Sequence, residues 1–266
     1  ELADLRLMVN SGGGVQAALA FDADNAPILL YGADTSVVTP NSNTSNSEFV
    51  ARRLGAEGWQ PLANNSGLVS SSRVGTFAQP KLLVDSEGRP VAGLPTSSGS
   101  VLVTVLANGQ WQSLGDDMRA ADSFGGDYFD LATENNGRIY IATAPRGGNG
   151  TVVRRFTPSP APGAWEAVGP NNGLLPQPAG ETTSFAPRIE IDASSNPIVA
   201  GSSQRFTAVW RFDGNVWTIG SAQRISSSAA MRVWRNAETG VMAWSSGWLA
   251  RSRPRVGGGG TGSGRG

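Results

Sequence analysis

Neither cysteine nor histidine occurs among the 266 residues. Without cysteine there are no disulfides, thiolate metal sites or cysteine nucleophiles. Without histidine the chain lacks the commonest general base, the commonest metal ligand and the centre of any Ser-His-Asp or Cys-His system. Most hydrolytic mechanisms are thereby excluded, and no catalytic set of residues is recognisable. Lysine is nearly absent as well: Lys81 is the single one and the other basic residues are arginines, a bias that reads as genome base composition. Long apolar runs are missing, and no stretch approaches the roughly 18 residues that a membrane-spanning helix needs. Nor is there an excess of charge. The 21 basic and 21 acidic residues balance, so the broad positive field that gives proteins non-specific affinity for nucleic acid is lacking. Neither end shows a basic segment followed by an apolar run, so a secretory leader, if the protein has one, is expected to be already removed.

Turn formers are abundant, with 35 Gly and 16 Pro, and they suit many short strands better than a few long helices. Hydrophobic residues make up 39%, enough to pack one all-β domain of this length. Within it there is a repeat. Four segments carry a tryptophan after a glycine-containing turn: Gly58-Trp59, Gly109 to Trp111, Gly163 to Trp165 and Gly214 to Trp217, the tryptophans lying 52, 54 and 52 residues apart. Upstream of each lies an apolar run, an acidic or amide turn and a second apolar run: LAFDADNAPILLYG, LLVDSEGRPVAG, LATENNGRIYIAT and IEIDASSNPIVAG. Asp22, Asp85 and Asp192 end the first run, where a carboxylate accepts backbone N–H bonds of the turn, and Pro27, Pro90 and Pro197 open the second. A fifth copy, from Met231 to Ser246, places Glu238-Thr239-Gly240 in the turn.

Each unit reads as four short strands, and a unit of roughly 50 residues cannot bury its own faces, so neighbouring units must stack. The expected fold is all-β, a five-bladed β-propeller of four-stranded antiparallel blades filling residues 1–256. The blades fall at about 15–63, 79–115, 128–170, 186–221 and 229–256, the last completed by 2–10 as its outer strand. Pairing the two ends closes the ring and removes the open sheet edges that invite aggregation. Residues 257–266 form a glycine-rich tail or linker.

The unit D-x-x-G-x-P-apolar followed by G-x-W-x-x-(L/V/I)-G resembles the repeat of bacterial secreted β-propellers, and five such blades are similar in layout to tachylectin-type lectin propellers. The resemblance covers nearly the whole chain and implies a secreted, cell-surface or periplasmic binding module. The blades differ strongly in loop length, so five equivalent sugar sites do not carry over. Asp213-Gly214 to Trp217 comes near the Asp box of sialidases, S-x-D-x-G-x-x-W, but the serine is missing. The sialidase arginine triad and tyrosine nucleophile have no counterpart.

Recognition is expected on one face. In a four-stranded meander the 2–3 and 4–1 connections share an end, and here they are long and different in every unit, whereas the turns at the other end are mostly short and repetitive. Variable connections on a rigid scaffold are where binding is usually built. Closure of the ring would bring Tyr31 near Trp244 and Trp248 at that rim, aromatic platforms suited to sugar or peptide. The stretch 115–130 carries Asp116, Asp117, Asp122, Asp127 and Asp130. It is a possible Ca²⁺ loop, and Asp127 with Asp130 at the start of an inner strand is the candidate pair for ligand binding or for axial carboxylate chemistry. No cofactor is expected otherwise. The recurring tryptophans read as packing between blades, and the recurring aspartates as turn caps rather than metal ligands. The leading expectation is a non-enzymatic module for carbohydrate or protein. A structural subunit of a surface assembly and a five-bladed glycoside hydrolase are the alternatives.

Overall fold

The computed structural model describes residues 17–34, 37–39, 42–44, 47–63, 67–70, 79–96, 100–115, 128–144, 150–157, 163–178, 186–202, 206–224, 232–235 and 242–245. The first sheet is formed by β1 (Ala17–Phe21), β2 (Pro27–Asp34), β5 (Ser47–Gly55) and β6 (Gly58–Pro61). Between β2 and β5 lies a small hairpin of β3 (Val37–Thr39) and β4 (Ser42–Thr44), and β7 (Leu68–Ser70) adds to β5. The second holds β8 (Lys81–Val84), β9 (Pro90–Pro95), β10 (Val101–Ala107) and β11 (Gln110–Ser113); the third β12 (Tyr128–Thr133), β13 (Ile139–Ala144), β14 (Val152–Thr157) and β15 (Ala164–Ala167). The fourth holds β16 (Ala186–Ile191), β17 (Pro197–Ser202), β18 (Phe206–Phe212) and β19 (Trp217–Arg224), and a two-stranded hairpin of β20 (Arg232–Arg235) and β21 (Met242–Ser245) follows. Every pairing is antiparallel.

The carboxylates set the hairpins. Asp22 Oδ1 accepts the N–H groups of Asp24 and Ala26, Asp85 Oδ1 those of Glu87 and Arg89, and Asp192 Oδ1 those of Ser194 and Asn196. Each turn is thus closed by two bonds to one oxygen, and the first strand enters the second in a constant register: Ala18, Lys81, Asp130 and Arg188 face Leu30, Gly93, Ala142 and Ala200. The capping expected from the sequence holds.

The innermost strands β1, β8, β12 and β16 lie side by side in chain order, so the sheets stand around a common centre. Apolar burial is correspondingly divided among three clusters, each straddling two neighbouring sheets. Leu30, Phe49 and Ala51 meet Ala92 and Leu94; Val91, Val101 and Val103 meet Phe129, Leu131 and Ile141; Tyr140, Ala142 and Val153 meet Ile189, Val199 and Trp210. No sheet owns a core, as the stacking argument requires.

The tryptophans seal these seams by a rule that repeats. Trp165 Nε1 donates to the Leu114 carbonyl at 2.6 Å and Trp217 Nε1 to the Val168 carbonyl at 2.7 Å, each reaching the preceding sheet three residues beyond that sheet's own tryptophan. The next residue is Gly115 or Gly169, with φ of +71° and +87°. A Cβ on Gly169 would lie 2.9 Å from Trp217 Cδ1, and one on Gly115 3.1 Å from Trp165 Cδ1, so the glycine of the motif is there to let the following indole lie down. Phe156 and Phe212 complete the contact, their ring centroids 5.2 Å from Trp165 and Trp217. The first sheet breaks the rule. Ala63 replaces the glycine, and Trp111 Nε1 is buried without a hydrogen-bond partner among the described residues.

Candidate functional site

The two ends of the molecule differ in chemistry. At the turn end the recurring aspartates are already engaged. Arg53 Nε donates to Asp22 Oδ2 and Arg53 NH2 to Asp24 at 3.0 Å; Arg211 NH2 donates to Asp192 Oδ2 at 2.6 Å; Arg89 holds Asp85 through Nε at 2.9 Å and NH2 at 2.8 Å. Burial pushes the Asp22 carboxyl up, but the Arg53 guanidinium and the N–H groups of Ala26 and Asp24 outweigh it and hold the group below its usual range. In the third sheet Glu134 stands in for aspartate. Tyr140 Oη donates to it at 3.2 Å, and burial followed by the neighbouring Glu134 charge raises the tyrosine pKa. Arg53, Arg155 and Arg211 occupy one register in their sheets, opposite Ile28, Tyr140 and Ile198. Arg53 and Arg211 hold the turn aspartates Asp22 and Asp192, whereas Arg155 pairs with Glu166 at 3.1 Å; none of these partnerships was anticipated from the sequence. The signal was an arginine followed by Leu or Phe in the third strand of the first, third and fourth sheets, hidden by connections of unequal length.

At the other end lies a charged cluster. Four residues before each turn carboxylate stand Ala18, Lys81, Asp130 and Arg188, on the four inner strands and toward the end carrying the 2–3 and 4–1 connections. Lys81 Nζ lies 3.1 Å from Asp130 Oδ1, Arg188 NH1 donates to the same oxygen at 3.4 Å, and the Ile189 N–H donates to Asp130 Oδ2 at 3.1 Å. Asp130, at the centre of three strands, therefore ties the second sheet to the fourth. The side chains of Lys81 and Asp130 are only 21% and 16% exposed, whereas that of Arg188 is 55% exposed. Burial lowers the Lys81 pKa, the Asp130 charge opposes that, and Arg188 adds to the lowering.

The expected site residues fall as follows. Asp130 is on the axis, but all its polar neighbours among the described residues are donors, so it is tied in an ion cluster rather than paired with a second acid. Tyr31 is 3% exposed and its hydroxyl accepts a bond from Arg52 Nε at 3.1 Å. Its ring is packed inside the sheet and presents no platform at the rim, because β2 runs on past it to Asp34 and pairs with β5 along that length. Trp244 lies in β21 opposite Val233. Asp127, Trp248, Asp116, Asp117 and Asp122 lie outside the described residues, as does the segment 2–10. Among the described residues no three acidic side chains are grouped so as to hold a metal ion, and no helix is long and apolar enough to cross a membrane.

No protein-family model matches the chain, and no curated protein matches it in sequence. Solved structures do. The SapL1 lectin, solved in complex with α-methyl fucoside, aligns with a TM-score of 0.51 at 13% identity, over 86% of this chain and 69% of that one. The fold is a propeller. An Aleuria aurantia lectin described as a six-bladed β-propeller gives 0.49 at 9% identity over 87% and 70%, and the polysaccharide lyase Uly1 gives 0.45 at 12% over 84% and 53%. At such identities the likeness concerns architecture alone.

Proposed function

We propose that this propeller is a non-enzymatic carbohydrate-binding module that recognises its ligand on the end bearing the 2–3 and 4–1 connections. The observation that carries the reading is the asymmetry between the ends. Carboxylates at the turn end are consumed by backbone N–H groups and arginines, whereas the opposite end holds the irregular connections and a charged axial mouth with donors in excess. SapL1 is a lectin whose structure holds a methyl fucoside, which supports a sugar as the ligand of a propeller of this kind. Against a hydrolytic role stands Asp130, engaged by two cations and a backbone N–H where a glycosidase needs two carboxyls about 5–9.5 Å apart. Screening on a glycan array, with pull-down from an envelope extract, tests the reading. Saccharide binding is expected; silence on the array refutes it, and capture of a protein alone shifts the ligand to that class.

The reading includes a ring of five blades in a secreted or surface-exposed protein, closed by residues 229–256 and 2–10. Support comes from the first blade. Its free face exposes Leu19 and Phe21, each 56%, and Leu54 at 36%, whereas Leu131 and Ile189 at the positions matching Leu19, and Phe156 and Phe212 at those matching Leu54, are covered by the preceding blade, and Ile191, matching Phe21, packs half-buried against the cluster shared with it. A closing blade would cover that face, and Phe21→Ser would then cost about 2–4 kcal/mol in urea unfolding. A neutral result would contradict closure on this face.

A further inference from the structure

The ring around Asp130 carries more cation than it can neutralise. Lys81 and Arg188 share a single carboxylate oxygen, and Asp130 uses its other oxygen on the Ile189 N–H. An ammonium has three donors and a guanidinium five, so most of the donors around the mouth are left for something else. Among the described residues the cluster balances to one positive charge, and the surplus cation is Arg188, whose side chain is 55% exposed and offers its remaining N–H donors to an approaching anion beside the paired Lys81. The repeat register makes this arrangement a product of the fold, since any residue four before a turn carboxylate is delivered to the same axial layer.

We propose that Lys81 and Arg188 at the axial mouth bind an anionic group of the ligand, a carboxylate on a sugar, so that the saccharides recognised are acidic. The inference rests on the carbohydrate reading and narrows it to uronate-type glycans. Asp130 acts in it as a spacer that holds the two cations in place and competes with the incoming anion. Removing its charge should therefore strengthen binding, an effect that a purely structural ion cluster does not produce.

The experiment compares glucuronate-containing oligosaccharides with their neutral glucose counterparts by calorimetry on the full chain. Charge-assisted hydrogen bonds make the acidic ligand about tenfold tighter at low salt, with the advantage shrinking at high ionic strength. Arg188→Gln and Lys81→Met should each abolish the advantage while neutral binding persists, and Asp130→Asn should increase it. Because Lys81 is the only lysine, its reductively methylated signal reports occupancy directly, the α-amine aside, and free glucuronate is the probe. A shifted lysine signal with no oligosaccharide binding would keep the anion site and refute the carbohydrate reading. Neutral glycans binding as tightly as acidic ones would overturn the inference and leave that reading intact. An Asp130→Asn protein that folds with unchanged Tm and gains no affinity would overturn it too, as would binding of an acidic peptide without any uronate.

Discussion

Replacing Trp217 by phenylalanine keeps an aromatic ring in the seam between the third and fourth blades but removes the indole N–H that donates to Val168 at 2.7 Å. Replacing Trp111 removes an N–H that is buried without a partner. The loss of ring volume is the same in the two variants, so the difference between them isolates one hydrogen bond. Leaving the Val168 carbonyl unpaired costs about 1–3 kcal/mol. Removing the orphaned N–H of Trp111 costs nothing on that account and relieves a desolvation penalty. Trp217→Phe is therefore expected to be less stable than Trp111→Phe by about 1–3 kcal/mol, with Trp165→Phe resembling Trp217→Phe. In a domain of this size that is a difference of about 2–4 °C in Tm per kcal/mol, and urea unfolding with matched m-values reads it directly. Ala63 explains the exception, since Gly115 and Gly169 at the matching step carry the left-handed φ that lets the next indole approach. Ala63→Gly should then make the Trp111→Phe exchange costly. Equal losses at Trp111 and Trp217 would refute the whole account of the seams.

Asp85, with a fully covered side chain and bonds to two backbone N–H groups and Arg89, should cost about 2–4 kcal/mol when changed to Ala, against under about 0.5 for Asp24→Ala at 83% exposure; denaturant titration of both checks this. Gly93→Ala should lower the unfolding free energy by about 1–3 kcal/mol in the same titration, because its Cβ would lie 2.7 Å from Phe129 Cε2 and 2.8 Å from Leu131 Cδ1 on the next blade. The depressed Asp22 carboxyl binds its proton less readily in the folded state than in the unfolded one, where its value is near 3.8. Its contribution is thus complete above that pH and lost as pH falls through the folded value. The stability gap between wild type and Asp22→Asn should be constant above pH 3.8 and shrink as acid protonates the folded-state carboxyl below it, and a gap that does not shrink with acid would contradict the assignment.

What the sequence made legible was whatever depends on local chemistry repeated at a fixed offset. The tryptophans, the turn aspartates and the four-strand rhythm all follow from spacing, and so does the stacking of blades that cannot bury themselves. The β3–β4 hairpin was not visible, because three-residue strands of Val-Val-Thr and Ser-Asn-Thr carry no periodicity above that of a polar loop. Nor was the turn at Asn171–Gly173, where Asn171 and Asn172 both take φ near 54° and fold the connection back so that Leu174 bridges Val152. At the site, Asp130 drew attention as an acid, but the two cations that share its oxygen were not anticipated. Lys81 looked like a remnant of base composition and Arg188 like one arginine among many. Counting four residues back from each turn carboxylate places all three in one layer, but their meeting depends on ring geometry that no single segment contains. Tyr31 shows the converse: an aromatic near a variable connection looks like a platform until its strand is seen to continue past it.

The claim that recognition occurs on the axial, connection-rich end is tested most directly by amide chemical-shift mapping of the full chain during titration with the tightest ligand from the array. Perturbations are expected at the loop-side ends of β8, β12 and β16, around Lys81, Asp130 and Arg188, and in the connections beside them. Shifts concentrated instead at the turns of Asp22, Asp85, Glu134 and Asp192 would contradict it.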